Sequence, residues 1–251
     1  MAAINGLSGS AAGLRRWFKV EPHELRPVAA AFAMFFSVLS AYYIIRPVRD
    51  EMGVELGKDA LHQLFTVVFF VMLAAVPAFG AVASRVPRRY VLPSVYAFFA
   101  ADLVLFWVLF RAGAAGPGLK AVFFIWASVF NLFVVSLFWS LMAELWTNTE
   151  AKRLYGLISA GGTAGALAGP VVTRGLISYF GTFDLLLVSA ALLVAALLAS
   201  LYLRRVHPAG GGSEAEPAGG GILDGAAKVL SSPYLLRIAV FIFLANIVGT
   251  F

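Results

Sequence analysis

Six long blocks of apolar residues, separated by short polar stretches, dominate the chain. Each block is close to the roughly 20 residues that an α-helix needs to cross a bilayer. A seventh apolar block begins near Leu235 and is still apolar at Phe251. The pattern predicts an all-α membrane protein, the N-terminal portion of a longer chain, with six complete spans and the start of a seventh. The predicted spans are residues 28–45, 64–83, 91–110, 121–143, 154–178 and 183–203.

The same pattern divides the chain into four regions. Residues 1–27 form a polar N-terminal segment, and residues 28–203 form the six-span bundle. Residues 204–234 contain a stretch rich in Gly, Ala, Pro and Glu, which predicts a flexible linker. Within it, residues 222–232 place apolar side chains on one helical face, typical of a short helix on the membrane surface. Residues 235–251 are the truncated seventh span.

Composition supports the membrane assignment and excludes several classes of protein. Of the residues, 61% are hydrophobic and only 13% are charged. The charged fraction is too low for a soluble enzyme, and the hydrophobic fraction is too high for a disordered tail. Cysteine is absent, and the three histidines lie outside the predicted spans. We therefore expect no disulfide framework, no catalytic residue, no metal site and no cofactor, and the chain is not predicted to be an enzyme.

The basic residues are distributed unevenly between the two sides of the membrane. Thirteen of the 19 Lys and Arg residues fall on the side of the N-terminus, and the other six fall on the opposite side. The positive-inside rule then predicts a cytoplasmic N-terminus, in the plasma (bacterial inner) membrane. The charge of +6 records orientation in the lipid bilayer, so we expect no nucleic-acid partner.

The end of span one carries a candidate site for an anion. Tyr42, Arg46 and Arg49 are spaced by four and three residues, so they share a face if the helix continues through Pro47. Two arginines at a cavity mouth would suit phosphate or carboxylate. The alternative is a solvated helix end whose charge is offset by the acidic residues 50–51.

Span four and span three carry acidic residues. Ser136, Ser140 and Glu144 follow one another at steps of four, which places them on one face of span four. Asp102 lies in the middle of span three, where an acid must be protonated or paired. For Glu144 a cavity role and a solvated helix end are both open, and for Asp102 a structural role and proton coupling are both open.

Span five is rich in glycine. Gly161, Gly165 and Gly169 lie at steps of four and form a face without side chains, where another helix can approach closely. Gly156 precedes them, and Pro170 follows and favours a bend. Packing within the bundle and dimerisation are both consistent with this face.

Two motifs resemble those of a known family. The segment from Gly80 through Ser84 and Arg85 to Arg88 and Arg89, between spans two and three, resembles the gating signature of the major facilitator superfamily. The sequence has a serine at position 84 where the signature has an aspartate. The spacing from Gly156 to Gly165 to Gly169-Pro170 resembles that family's antiporter signature. The resemblance implies a six-helix N-terminal bundle built as a 3+3 inverted repeat, and transport by alternating access.

One feature inside the chain agrees with such a repeat. Gly80 to Arg85 closes span two and Gly169 to Arg174 closes span five, and both segments have the pattern Gly-x-x-x-[Ser/Thr]-Arg. Because three spans separate them, they face opposite sides of the membrane, as an inverted repeat requires. Chance similarity of two helix ends is the alternative.

A narrower resemblance concerns the substrate. The segments 41–50 and 138–155 are similar to parts of ATP/ADP translocase-type nucleotide exchangers. This similarity implies that Arg49 and Glu144 take part in transport, with Lys152 and Arg153 close by. The predicted partners are the lipid bilayer, a small anionic substrate such as a nucleotide, and the protein's own C-terminal bundle. The alternatives are a proton-coupled exporter of small organic compounds and a non-transporting scaffold or sensor.

Overall fold

The computed structural model describes residues 20–83, 85–207 and 229–250, and it is helical almost throughout. This confirms the predicted all-α fold. Six of the helices are long and apolar enough to cross a membrane, as the sequence predicts, and the chain is a multi-pass membrane protein. The principal helices are α1 (Leu25–Glu55), α2 (Lys58–Ala83), α3 (Arg88–Arg111), α4 (Pro117–Leu145), α5 (Asn148–Phe180), α6 (Leu185–Val206) and α7 (Pro233–Thr250).

Local sequence explains where several helices begin and end. Helix α1 continues through Pro47 and ends ten residues later than the apolar block, because the polar segment after Ile45 stays helical. Helix α4 begins with Pro117 in its first turn, where the missing N–H has no partner to lose. Helix α5 begins at a capping box in which Thr147 and Glu150 bond each other's backbone N–H groups.

Helix α1 is the centre of the bundle. It packs against α5, α6 and α4, while α3 packs mainly against α6. Its buried residues cover more than half of the helix circumference, because neighbouring helices pack against it on several sides. The core is rich in aromatic side chains, and Phe35 stacks on Phe138 with ring centroids 4.1 Å apart.

Hydrogen bonds between side chains and backbone fix the contacts of α1. The hydroxyl of Ser40 donates to the carbonyl oxygen of Gly165 at 3.2 Å, and that of Ser189 donates to Ala41 at 2.9 Å. These bonds join α1 to α5 and to α6. Such interhelical bonds stabilise packing in a medium that offers no water to the same groups.

Helix α2 packs much less closely than the others. Leu64 is its only buried residue among the side chains that the structure describes. Two aromatic pairs connect it to α4: Phe65 with Phe124 at 5.6 Å and Phe79 with Phe133 at 4.9 Å between centroids. Most of its remaining apolar surface is open to the surroundings.

Parts of the predicted organisation lie outside the described residues. These are most of the N-terminal segment, Ser84, and residues 208–228, which include most of the predicted linker and surface helix. The division of the chain into four regions therefore stays a prediction. Helix α7 coincides with the predicted start of the seventh span.

Candidate functional site

A cavity of about 480 Å³ lies between α1 and α4, and we refer to it as the α1–α4 cavity. Leu39 on α1 and Asn131 on α4 both line it, and each is close to the middle of its helix. The cavity therefore lies about halfway along these two helices and extends toward the C-terminal end of α1. Its lining consists of Leu39, Tyr42, Tyr43, Arg46, Asn131, Leu132, Val135 and Ser136.

The polar groups of this cavity come from two helix faces. Tyr42 and Tyr43 meet edge to face with centroids 5.4 Å apart, and the guanidinium carbon of Arg46 lies 5.7 Å from the ring centroid of Tyr43. The Nε atom of Arg46 lies 3.8 Å from a carboxylate oxygen of Asp50, a distance too long for a strong pair. An exposed guanidinium beside two phenol rings can bind an anion that also carries a flat ring.

Arg49 is placed differently from Arg46. Its guanidinium donates to Asp50 at 2.6 Å and lies 5.2 Å from the ring centroid of Phe124. Its side chain is only 16% exposed, against 48% for Arg46. The lining of the α1–α4 cavity includes Arg46 and not Arg49. Tyr42, Arg46 and Arg49 all lie on the continuous helix α1, as the shared face requires, but only Tyr42 and Arg46 line the cavity.

The predicted face of α4 is shared by two cavities. Ser136 lines the α1–α4 cavity, whereas Ser140 and Glu144 line a second cavity of about 400 Å³ at the C-terminal end of α4. There Arg204 of α6 donates to both carboxylate oxygens of Glu144 at 3.1 Å. The sequence predicts that Arg204 and Glu144 lie on the same side of the membrane. This was the indication in the sequence that the two residues could pair.

Lys152 and Arg153 lie in the first turns of α5, at the same end of the bundle. Lys152 is exposed. Arg153 pairs with Glu24, whose side chain is only 2% exposed, and lies 3.9 Å from Glu21. In this arrangement Arg153 joins the beginning of α5 to the segment that precedes α1.

The turn between α2 and α3 presents its basic residues at the surface. Arg85, Arg88 and Arg89 are exposed, and the guanidinium carbon of Arg89 lies 4.7 Å from the ring centroid of Tyr90. Arg88 also lines the cavity that contains Glu144 and Arg204. Ser84, the remaining residue of the resemblance to the gating signature, lies outside the described residues.

The glycine face of α5 contacts α1. A Cβ atom on Gly161 would lie 2.5 Å from the carbonyl oxygen of Phe32, and one on Gly165 would lie 2.3 Å from that of Phe36. A Cβ on Gly169 would lie 2.7 Å from the Cβ of Tyr43. We refer to Gly161, Gly165 and Gly169 as the glycine seam. Gly156 and Pro170 lie outside this contact, since both are exposed and a Cβ on Gly156 would meet nothing within 4 Å.

Two acids at or near membrane depth are bonded to tryptophans. The indole N–H of Trp126 donates to Asp102 at 2.9 Å, which supplies the partner that the sequence left unnamed. A second indole, that of Trp107, donates to Asp184 at 2.7 Å, a contact that no pattern in the sequence indicated. Each bond joins two helices or a helix and a turn. Across the described ranges, no three residues among His, Cys, Asp and Glu are grouped so that they could hold a metal ion.

Comparison with known proteins identifies one family. The family model of the Major Facilitator Superfamily matches residues 28–251, which cover all six spans and α7. No curated protein and no solved structure matches the chain significantly.

Proposed function

Because the chain belongs to the Major Facilitator Superfamily and is therefore a secondary transporter of the membrane, we propose that it moves a small anionic metabolite by alternating access. In this proposal α1 to α6 form the N-terminal bundle, which rocks against a C-terminal bundle around a site near the middle of the membrane. The family match and the position of the α1–α4 cavity support this arrangement.

The observation that carries the proposed substrate class is the exposed guanidinium of Arg46 in the α1–α4 cavity. The rings of Tyr42 and Tyr43, the amide of Asn131 and the hydroxyl of Ser136 surround the same space. A guanidinium can bind phosphate, and phenol rings can stack on a base. These contacts make a nucleotide the leading named substrate, moved in exchange for another anion.

Charge limits what this half can bind alone. A nucleoside triphosphate carries about four negative charges, and sites for such groups use several cations. The α1–α4 cavity contributes Arg46, so in this proposal the C-terminal bundle contributes further cations. A substrate with a single phosphate or carboxylate would need fewer of them.

The other candidate residues act at the ends of the bundle in this proposal. Arg49, Glu144, Lys152 and Arg153 contribute near the two mouths, through contacts that change as the bundle rocks. The turn containing Ser84, Arg85, Arg88 and Arg89 controls closure at one mouth. The glycine seam keeps α5 close to α1, so that these two helices move as one unit.

The second candidate function is proton-coupled export of small organic compounds. The bond between Asp102 and Trp126 favours it, because an acid held at the middle of α3 can take up and release a proton. Export of this kind predicts that Asp102→Asn abolishes transport driven by a pH gradient, while anion exchange predicts that it leaves exchange intact. A scaffold or sensor, the third possibility, predicts no transport at all.

Orientation is part of the proposal: the N-terminus lies in the cytoplasm of a cell bounded by its plasma (bacterial inner) membrane. The described chain offers a matched pair of exposed positions to test it. Thr149 lies in the first turn of α5, and Asp59 lies in the first turn of α2, at the other end of the bundle. Thr149→Cys should react with an impermeant thiol reagent only from the cytoplasm, and Asp59→Cys only from outside. The reverse pattern would invert the orientation.

The substrate proposal is tested by uptake of labelled nucleotides into liposomes that contain the full-length protein. Arg46→Gln should reduce apparent affinity roughly tenfold to a hundredfold, because a charge-assisted contact to phosphate contributes about 1.5–3 kcal/mol. Arg46→Lys should recover part of the loss, because it keeps the charge without the planar fork. Arg49→Gln distinguishes the residue implied by resemblance from the one that lines the cavity. Arg111→Gln, an exposed arginine at the end of α3, is the matched control.

Two outcomes would contradict the proposal. If wild type exchanges no anion but exports an organic compound against a pH gradient, the second candidate function is correct. If the wild type transports nucleotides and Arg46→Gln leaves the apparent affinity unchanged while Arg49→Gln lowers it, the substrate binds near Arg49, outside the α1–α4 cavity.

A further inference from the structure

We propose that the bundle binds an anionic phospholipid at the end where α2 meets α3, with an acyl chain beside α2 and the phosphate against Arg88. Two adjoining cavities carry this inference. One is an apolar groove between α2 and the pair α3 and α4, and the other is the polar cavity that contains Glu144 and Arg204.

The apolar groove has the dimensions of a hydrocarbon site. Its volume is about 420 Å³, and its walls include Ala75 and Ala78 of α2, Val95 and Phe98 of α3, and Val129 of α4. Along α2 the groove extends from Ala75 to Ala83, a length of about 12 Å at 1.5 Å per residue. One leaflet accounts for half of the roughly 30 Å hydrocarbon core, so this length is close to the depth of a leaflet.

The polar cavity begins where the apolar groove ends. Phe79, Ala83 and Val91 line both, so the two spaces adjoin one another. The polar cavity has a volume of about 400 Å³ and is also lined by Arg88 and Ser140. A molecule that fills both spaces must have an apolar tail and a polar head, which excludes a small soluble anion as the complete ligand.

The charge at this end favours an anionic head. Arg204 is paired with Glu144, and the neighbouring turn adds Arg85, Arg88 and Arg89. In the part of the chain that the structure describes, no carboxylate lies within ion-pair distance of any of these three arginines. The local charge is therefore strongly positive, and basic pockets between membrane helices bind anionic lipid head groups in other proteins.

The beginning of α3 gives a second reason for an anion. The helix starts with Arg88 and Arg89 in its first turn, has no acid there, and receives no side-chain cap from Pro87. Positive side chains are unfavourable at this end of the helix dipole, where anions are stabilised instead. A phosphate group placed there would contact the first-turn N–H groups and the arginines together.

The groove is open to the side of the bundle, which identifies the membrane as the source of the ligand. Phe98 lines the groove and is 60% exposed, and it lies among other exposed apolar residues of α3. A lipid can therefore enter laterally from the bilayer. The proposed ligand is a phospholipid with a net negative head group, such as phosphatidylglycerol.

Trp126 lines the groove and provides a local probe. The experiment uses full-length protein in which Trp126 is the sole tryptophan, reconstituted into vesicles of phosphatidylcholine with increasing fractions of brominated phosphatidylglycerol or brominated phosphatidylcholine. The brominated anionic lipid should quench Trp126 emission at a several-fold lower fraction than the neutral one. Arg88→Gln should reduce this preference about fivefold. The control Arg111→Gln, at the opposite end of the same helix, should leave it unchanged.

A second pair of variants tests the groove. Ala78→Phe should fill it and reduce quenching by both lipids, whereas Ala97→Phe, an exposed position of α3 outside the lining, should not. Because the single-tryptophan protein could fold poorly, native mass spectrometry of otherwise wild-type protein repeats the comparison. A phosphatidylglycerol adduct should persist in wild type and be lost in Arg88→Gln.

Three results would overturn the inference. Equal quenching by both lipids in wild type would show a plain lipid contact without head-group recognition. No quenching by either lipid would show that protein covers the groove. Displacement of the brominated anionic lipid by soluble glycerol phosphate would show a site for a soluble anion.

Discussion

The helix pairs α1–α5 and α4–α2, which the inverted repeat makes equivalent, differ in how closely they pack. If α1 to α3 correspond to α4 to α6, then the contact of α5 with α1 corresponds to that of α2 with α4. The first pair is in close contact along the glycine seam, and the second is held by two aromatic pairs beside an apolar groove. A Cβ atom added to Gly169 would lie 2.7 Å from the Cβ of Tyr43. A Cβ atom added to its counterpart Gly80 would meet nothing within 4 Å.

The residues before the shared motif explain the difference. Gly161 and Gly165 precede Gly169 at steps of four, whereas the equivalent positions of α2 are Met72 and Val76. A single small residue permits close approach at one point, but a row of three permits it over two turns. The Gly-x-x-x-[Ser/Thr]-Arg pattern alone therefore does not determine how closely a helix packs.

The largest expected effect comes from adding bulk to the seam. Gly165→Leu should abolish folding or transport, because its Cβ would lie 2.3 Å from the backbone oxygen of Phe36, and the cost should exceed about 3 kcal/mol. Gly80→Leu, the matched change on α2, should be tolerated. Thermal unfolding in detergent and transport by the full-length protein are the measurements. Normal behaviour of Gly165→Leu would contradict the close packing of α1 and α5.

The next largest effect should come from removing an aromatic side chain, which should destabilise the protein more on α1 than on α2. Phe35→Ala leaves a cavity in the core and ends the stacking with Phe138, and it should lower the free energy of unfolding by about 3 kcal/mol. Phe69→Ala on α2 should lower it by less than about 0.5 kcal/mol, because Phe69 is 62% exposed. Equal losses in thermal stability would show that α2 is packed as closely as α1.

A negligible effect is expected on the face of α5 that points away from the seam. Leu167 lies two residues after Gly165 and is 71% exposed. Leu167→Ala should change stability by less than about 0.5 kcal/mol. A clear destabilisation in the same thermal assay would indicate that another part of the protein covers this face.

A small but measurable effect is expected for the hydrogen bond across the seam. Ser40→Ala removes the donor to the carbonyl oxygen of Gly165 and should cost about 0.6 kcal/mol, the average for such bonds between membrane helices. Ser94→Ala, an exposed serine of α3, is the matched control and should cost nothing measurable. A much larger loss for Ser40→Ala would mean that the bond, and not close packing, holds α5 on α1.

The sequence alone predicted the membrane-spanning helices well, because whether a helix can cross a membrane depends on its length and its hydrophobicity. Span positions followed from the apolar blocks, and the glycine seam followed from spacing. The first apolar block ends at residue 45, whereas α1 continues to Glu55, since a polar segment can stay helical.

Partners were harder to predict than elements because they depend on which helices become neighbours. The shared face of Tyr42, Arg46 and Arg49 was visible in the sequence. That Arg49 instead contacts Asp50 and Phe124 was not, because it depends on the position of α4. The bond between Trp126 and Asp102 depends in the same way on the contact of α3 with α4.

The central claim is that the α1–α4 cavity opens alternately to the two sides of the membrane. Ser136 lines that cavity, and these 251 residues contain no cysteine. In full-length protein reconstituted in vesicles, Ser136→Cys should react with an impermeant thiol reagent from both sides, and a transported anion should change the two rates in opposite directions. Asp59→Cys, the control, should react from one side whatever the solute. Reaction of Ser136→Cys from one side only, unaffected by any anion, would contradict the account.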